Sequence, residues 1–130
     1  MGHIAKRPVP APPQLSAELA ESVAELSAAF ATPSRVRILV RLWQGPAPVS
    51  TLADDIRMEQ SAVSHQLRLL RHLDLVRTRR NGREIVYALR DDHVATMLNE
   101  AIYHIEHVRL NNDDADSLAM LHPDPLRQRD

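Results

Sequence analysis

Between Gln60 and Leu73 a single stretch carries two helical periodicities at once. Ala62, Val63, Leu67 and Leu70 recur on one side, while Ser61, Ser64, His65 and Arg68 recur at i, i+3, i+4 and i+7 on another. A helix divided in this way buries the first set and offers short hydrogen-bonding side chains and an arginine on the second. Polar outer faces are common on amphipathic helices, so the next segment matters. Leu75 to Arg90 reads as two strands joined at Asn81-Gly82, a pair that tolerates positive φ in a type I′ turn, and Arg77, Arg79, Arg80 and Arg83 surround the tip. Four arginines at a turn are useful chiefly against phosphates or a minor groove.

The preceding chain supplies three more helices. Leu15, Leu19, Val23, Leu26 and Phe30 fall at steps of three and four and predict a first helix over Leu15–Ala31. Thr32-Pro33 breaks and restarts it, Thr32 as a cap and Pro33 where a missing N–H costs nothing. The second helix, Ser34 to Gln44, is expected to bury Val36, Ile38, Leu39, Leu42 and Trp43 and to stop at Gly45-Pro46. Ser50 is expected to cap a short third helix over Thr51–Arg57, with Leu52, Ala53 and Ile56 inward. Two short helices, a tight turn at Met58-Glu59 and an arginine-tipped hairpin make a winged helix-turn-helix: mainly α, with a β-hairpin wing between the fourth and fifth helices.

The charge distribution agrees. Net charge is only −1, but residues 57–90 hold eight arginines against three acidic residues, flanked by acidic segments. That is the footprint of a local DNA-binding surface. Aromatic residues are 3% of the chain, too few for a platform that stacks single-stranded bases. Cysteine is absent, which removes disulfides, thiolate catalysis and sulfur-based metal sites. No apolar run approaches the roughly 18 residues of a membrane span. Lys6 and Arg7 are followed by Pro8, Pro10, Pro12 and Pro13 where a signal peptide needs apolar residues, so the protein is expected to stay in the cytoplasm.

The run Met58-Glu59-Gln60-Ser61-Ala62-Val63-Ser64-His65-Gln66-Leu67, followed by Leu70-Arg71-His72-Leu73-Asp74-Leu75-Val76, resembles the recognition helix of the ArsR/SmtB metal-responsive repressors. The final helix, from Asp91-Asp92-His93 through His104-Ile105-Glu106-His107, is similar to the nickel- and cobalt-responsive branch of that family. The resemblance covers about Ser16 to Leu110. It implies a homodimeric repressor that releases double-stranded operator DNA when metal binds. It also implies that Ser61, Ser64, His65 and Gln66 face bases, with Gln60 at the start of the same helix, and that Arg68, Arg77, Arg79, Arg80 and Arg83 meet phosphates.

The last helix, Asp92 to about Leu110, carries Val94, Met97, Leu98, Ala101, Ile102, Ile105 and Val108 as its apolar stripe. Asp91, His93, His104 and His107 are ligands of the kind that Zn, Ni and Co take. His104 and His107 are i and i+3 neighbours. His93 lies eleven residues from His104, nearly on the same face but roughly 16 Å along the axis. Since metal–nitrogen bonds are about 2 Å long, the four converge only if a second copy of the helix runs antiparallel. The motif thus predicts a homodimer with two equivalent sites, a two-fold axis near Leu98 and Asn99, and a seam through Val94, Leu98, Ala101 and Ile105.

Four such ligands satisfy tetrahedral Zn(II), whereas Ni(II) and Co(II) sites of this branch need further donors. Removal of Met1 would expose the Gly2 amine beside His3, on a flexible arm, residues 1–14, able to carry both to the last helix. His72 is read as lying at a helix C-terminus, and His122 as part of a disordered tail, residues 111–130, beyond the 15–110 domain. Two other readings stay open: a winged-helix regulator that senses zinc or a non-metal signal, its last helix serving only dimerisation, and a hydrolase using metal-bound water. Against the hydrolase stand the lack of a general base, a nucleophile or an evident cleft.

Overall fold

The computed structural model describes residues 8–121, and the side chains of residues 8–112. Helix α1 spans Ala17–Ala28. Ser16 caps it, its hydroxyl accepting from Leu19 N at 3.1 Å. The helix ends three residues before the expected Ala31. Pro33 opens α2, Pro33–Gln44, at its first turn. Thr32 takes the N-cap position but its side chain makes no capping bond, and its buried Oγ1 has no hydrogen-bond partner. Gly45 stops α2 at φ 153°, ψ 159°, backbone open essentially to glycine alone.

A two-residue strand that no periodicity could announce, β1 (Ala47–Pro48), precedes α3 (Val49–Ile56). The helix begins before Ser50, so Ser50 lies inside its first turn and Pro48 occupies the N-cap in place of the expected serine. Arg57, left-handed at φ 56°, ends α3 and starts the tight turn into α4, Gln60–His72. There Met58 N donates to Ala53 O at 2.9 Å.

The hairpin is present with a different turn. Strands β2 (Val76–Asn81) and β3 (Glu84–Leu89) pair antiparallel, Asn81 opposite Glu84, so the loop residues are Gly82 and Arg83. Only Gly82, φ 63°, has positive φ there. This is the type II′ pattern, with glycine first, rather than the expected type I′ over Asn81-Gly82. Strand β1 adds to the far edge of β3, through Ala47 opposite Tyr87, giving the order β1-β3-β2.

Helix α5 runs from Asp92 to Leu121, well beyond the expected end at Leu110. None of the described helices is long and apolar enough to cross a membrane.

The core gathers Ile38, Leu39 and Leu42 from α2, Leu52, Ala53 and Ile56 from α3, and Val63, Leu67 and Leu70 from α4. Leu75 and Val76 close it beside Val94 and Leu98 of α5. The inward face expected for α4 is therefore the buried one, except that Ala62 is only half-buried. Trp43, expected inside, is 41% exposed, and Val36 is half-buried. Helix α1 has no buried residue, and Leu15, Leu19 and Val23 face outward.

Candidate nucleic-acid interface and metal centre

Three arginines of α2 hold the helix-turn-helix together. Arg37 Nη2 donates to the carbonyl of Ile56, and Arg41 Nε to Asp55 Oδ2 at 2.7 Å while its Nη1 reaches Gly45 O at 3.0 Å. Arg35 Nε donates to Gln66 Oε1 and its Nη1 to Ala28 O, both at 2.8 Å. These internal bonds fix α3 and α4 against α2. Their spacing on α2 gave no signal of this in the sequence, because each acceptor belongs to a distant segment or to a backbone carbonyl.

On α4, Gln60, Ser61, His65 and Arg68 are exposed and Ser64 is half-buried beside them. Taking 100° per residue, Ser61, Ser64, His65 and Arg68 fall within about 100° of arc. Ser61 Oγ donates to Glu59 Oε1 at 3.0 Å. Gln66 stands apart: it is half-buried, about 140° round the axis from Ser61, and accepts from Arg35.

The wing divides its arginines. Successive residues of a strand point to opposite sides, so Arg77 and Arg79 share one face of β2 and Arg80 takes the other, with Arg83 in the turn. All four are exposed, and Arg77 Nε also donates to Leu89 O at 3.3 Å.

The expected metal ligands occupy α5 in two groups. Asp91 precedes the helix and caps it, its Oδ1 accepting from His93 N at 2.9 Å and lying 3.4 Å from His93 Nδ1. His104 and His107 are exposed one turn apart, further along. The rings of Tyr103 and His107 stack at 6.1 Å, and Asn111 Nδ2 lies 3.3 Å from His107 Nε2. Among the described residues no three potential ligands converge within one chain. Each group taken alone has too few donors for a metal, and their chemistry fits one when further donors from outside the described part of this chain or from a second chain are added. Gly2, His3 and His122 lie outside the described residues.

The expected seam needs correction. Val94 and Leu98 are 2% and 1% exposed, because the first turns of α5 pack on this chain's own core. Neither side chain is available to a partner, so the part of the seam expected at Val94 and Leu98 belongs to this chain's own core. The outward apolar face is Ala101, Ile102, Ile105 and Val108, with Ile105 50% exposed. Ala101, Ile102 and Ile105 of this face, with Phe30, Val36 and the edge of Leu98, line an open groove of about 360 Å³. On the helical wheel His93, His104 and His107 sit to one side of this face, about 60–120° from Ala101 and about 100–160° from Ile105.

The model of bacterial regulatory proteins of the arsR family matches residues 32–78, from the start of α2 into β2. The chain is 55% identical over 115 residues, 88% of its length and 95% of the relative's, to the HTH-type transcriptional regulator NmtR of Mycobacterium tuberculosis. It is 40% identical to a transcriptional repressor SmtB homolog of Synechocystis, over 73% of this chain and 72% of that one. Among solved structures, that of apo-NmtR matches with a TM-score of 0.62 at 55% identity, covering 82% of this chain and 87% of that one. A homodimeric winged helix-turn-helix DNA-binding domain from Mycobacterium bovis matches with a TM-score of 0.67 at 26% identity, covering 75% and 91%. A helix-turn-helix with an arginine wing, matched at this level along nearly its whole length, leaves one conclusion: the chain belongs to the ArsR family of bacterial regulatory proteins, and it is a DNA-binding transcriptional regulator.

Proposed function

We propose that this regulator represses transcription as an apo homodimer on a two-fold operator and leaves the DNA when Ni(II) or Co(II) binds at two intersubunit sites on α5. The observation that carries this reading is the arrangement on α5: an exposed apolar face through Ala101, Ile105 and Val108, with two separated groups of metal-type donors to one side of it. A face of this kind on a regulator is what a second copy covers. Pairing of two such helices brings Asp91 and His93 of one protomer toward the histidines of the other. Leu19 and Val23 of α1, and Leu15 just before it, are further exposed apolar residues available to a partner.

A metal held by these residues would tie the two chains together. The residues here do the rest: Asp91 and His93 are held at a capped helix start, and His104 and His107 are carried on a rigid helix. On the DNA side, Ser61, Ser64 and His65, with Gln60, reach base edges in the major groove, while Arg68, Arg79, Arg80 and Arg83, with Arg77, meet phosphates. Release requires a coupling free energy, typically about 1–3 kcal/mol, and by reciprocity DNA weakens metal binding by the same factor. Such a regulator works beside the chromosome, in the cytoplasm, and performs no catalysis.

Asp91, His93, His104 and His107 alone suit four-coordinate Zn(II). With Met1 removed, the Gly2 amine and His3 would raise the donor count to that of octahedral Ni(II) and Co(II). Calorimetric titration with Ni(II), Co(II) and Zn(II), then operator binding at fixed salt with and without each metal, tests the reading. Tight binding near one metal per chain with loss of DNA affinity is expected. A chain that binds none of the three and keeps its DNA affinity unchanged is a regulator of a non-metal signal, with α5 serving only as the dimer helix.

A further inference from the structure

We infer that Arg35 is a positioning residue for DNA recognition, tying the end of α1 to the recognition helix α4, and that Gln66 serves as its acceptor and does not read a base. One guanidinium joins three helices. Anchored on α2, it donates through Nε to Gln66 Oε1 in the middle of α4 and through Nη1 to the carbonyl of Ala28, the last residue of α1. The planar fork presents these donors in fixed relative directions, so the two acceptors are held in register with each other.

The bond matters because of what lies at each end. Helix α1 has no buried residue of its own, and its apolar face points outward, where a partner chain would cover it. At the other end, Gln66 is the immediate neighbour of His65 and two residues from Ser64 on a helix that moves as a unit. A shift of α1 against α2 therefore pulls on α4 at the level of its base-facing side chains. Gln66 itself is turned away from them by about 100–160°, and its amide oxygen is already occupied by Arg35.

This inference rests on α4 being the recognition helix. The test uses the full metal-free chain at fixed salt, with the duplex that the wild type enriches from a randomised library and a scrambled duplex of the same composition. The readout is the affinity ratio between the two, with sedimentation and thermal melting confirming a folded dimer. Gln66→Met, which loses one charge-assisted hydrogen bond, should lower that ratio on the order of tenfold, Arg35→Met, which also loses the bond to Ala28 O, by at least as much, and the double variant should lose no more than Arg35→Met alone. Gln66→Glu should hold the ratio within about threefold, since a carboxylate still accepts from Arg35 while its charge weakens both duplexes alike. Gln66 lies on the flank of α4, so the Met and Glu pair carries the test even if Arg35→Met does not fold. The inference is overturned if Gln66→Glu loses as much as Gln66→Met, or if the losses at Arg35 and Gln66 add. A wild type that enriches no sequence would instead remove the recognition-helix reading itself, ahead of any comparison among variants.

Discussion

Asp91 Oδ1 accepts a hydrogen bond from His93 N at 2.9 Å, so the aspartate assigned to a metal is also the cap of the helix that carries the other ligands. The two roles separate by substitution. Asn caps as well as Asp, so Asp91→Asn should melt like the wild type in the metal-free state but bind metal more weakly. Asp91→Ala should lose the metal affinity and about 1 kcal/mol of stability besides. Thermal unfolding with and without metal reads both; equal metal affinity in wild type and Asp91→Asn would remove Asp91 from the ligand set.

The intersubunit arrangement has a sharper test in mixed dimers. His93→Ala and His104→Ala homodimers should each bind metal poorly while still binding DNA. A heterodimer of the two should keep one intact site, because the unmodified His93 of one chain meets the unmodified His104 of the other. Titration of a purified heterodimer should find about half the wild-type capacity. No binding there means that the ligands are not shared in this way.

Ile105 and Leu98 lie on the same helix, 50% and 1% exposed, and should respond differently. Leu98→Ala leaves a cavity in the chain's own core and should cost about 2–5 kcal/mol of folding stability. Ile105→Asp should leave the fold intact and shift the dimer toward monomer, read by sedimentation over a concentration series. A wild-type dimer affinity for Ile105→Asp would place the seam elsewhere.

Arg79→Ala with Arg80→Ala should weaken binding to every duplex and flatten the dependence of affinity on salt by about one phosphate contact per arginine lost, because phosphate contacts carry little sequence information. Ser64→Ala or His65→Ala should selectively weaken the preferred duplex. Indistinguishable losses on preferred and scrambled DNA for both classes would contradict the division between wing and helix.

Deleting residues 2–6 should weaken Ni(II) and Co(II) while barely changing Zn(II), if the Gly2 amine and His3 complete a six-coordinate shell. Affinity order alone does not decide this, since nickel outranks cobalt at almost any nitrogen-rich site. The visible spectrum of the Co(II) form does: tetrahedral cobalt absorbs far more strongly than octahedral. An intense spectrum from the intact chain would count against the N-terminal ligands and favour zinc.

Local rules carried the sequence a long way. Pro33 and Gly45 mark the two ends of α2, the paired periodicities of α4 separate its buried side from its polar one, and the arginine-rich hairpin stands where the alternation and the Asn81-Gly82 signal put it. These succeed because caps, breakers and a helical repeat act within a few residues of themselves. Strand β1 was illegible, since two residues have no period and gain their structure only by pairing with Val86 and Tyr87. The turn moved by one residue because cross-strand register, not the dipeptide, decides which residues are left over. Periodicity likewise marked the apolar stripe of α5 as one surface, yet Val94 and Leu98 face this chain's own core while Ile105 and Val108 face outward. Which neighbour covers an apolar face, and which distant oxygen an arginine such as Arg35 finds, depends on segments brought together only by the fold, and no spacing along the chain encodes it.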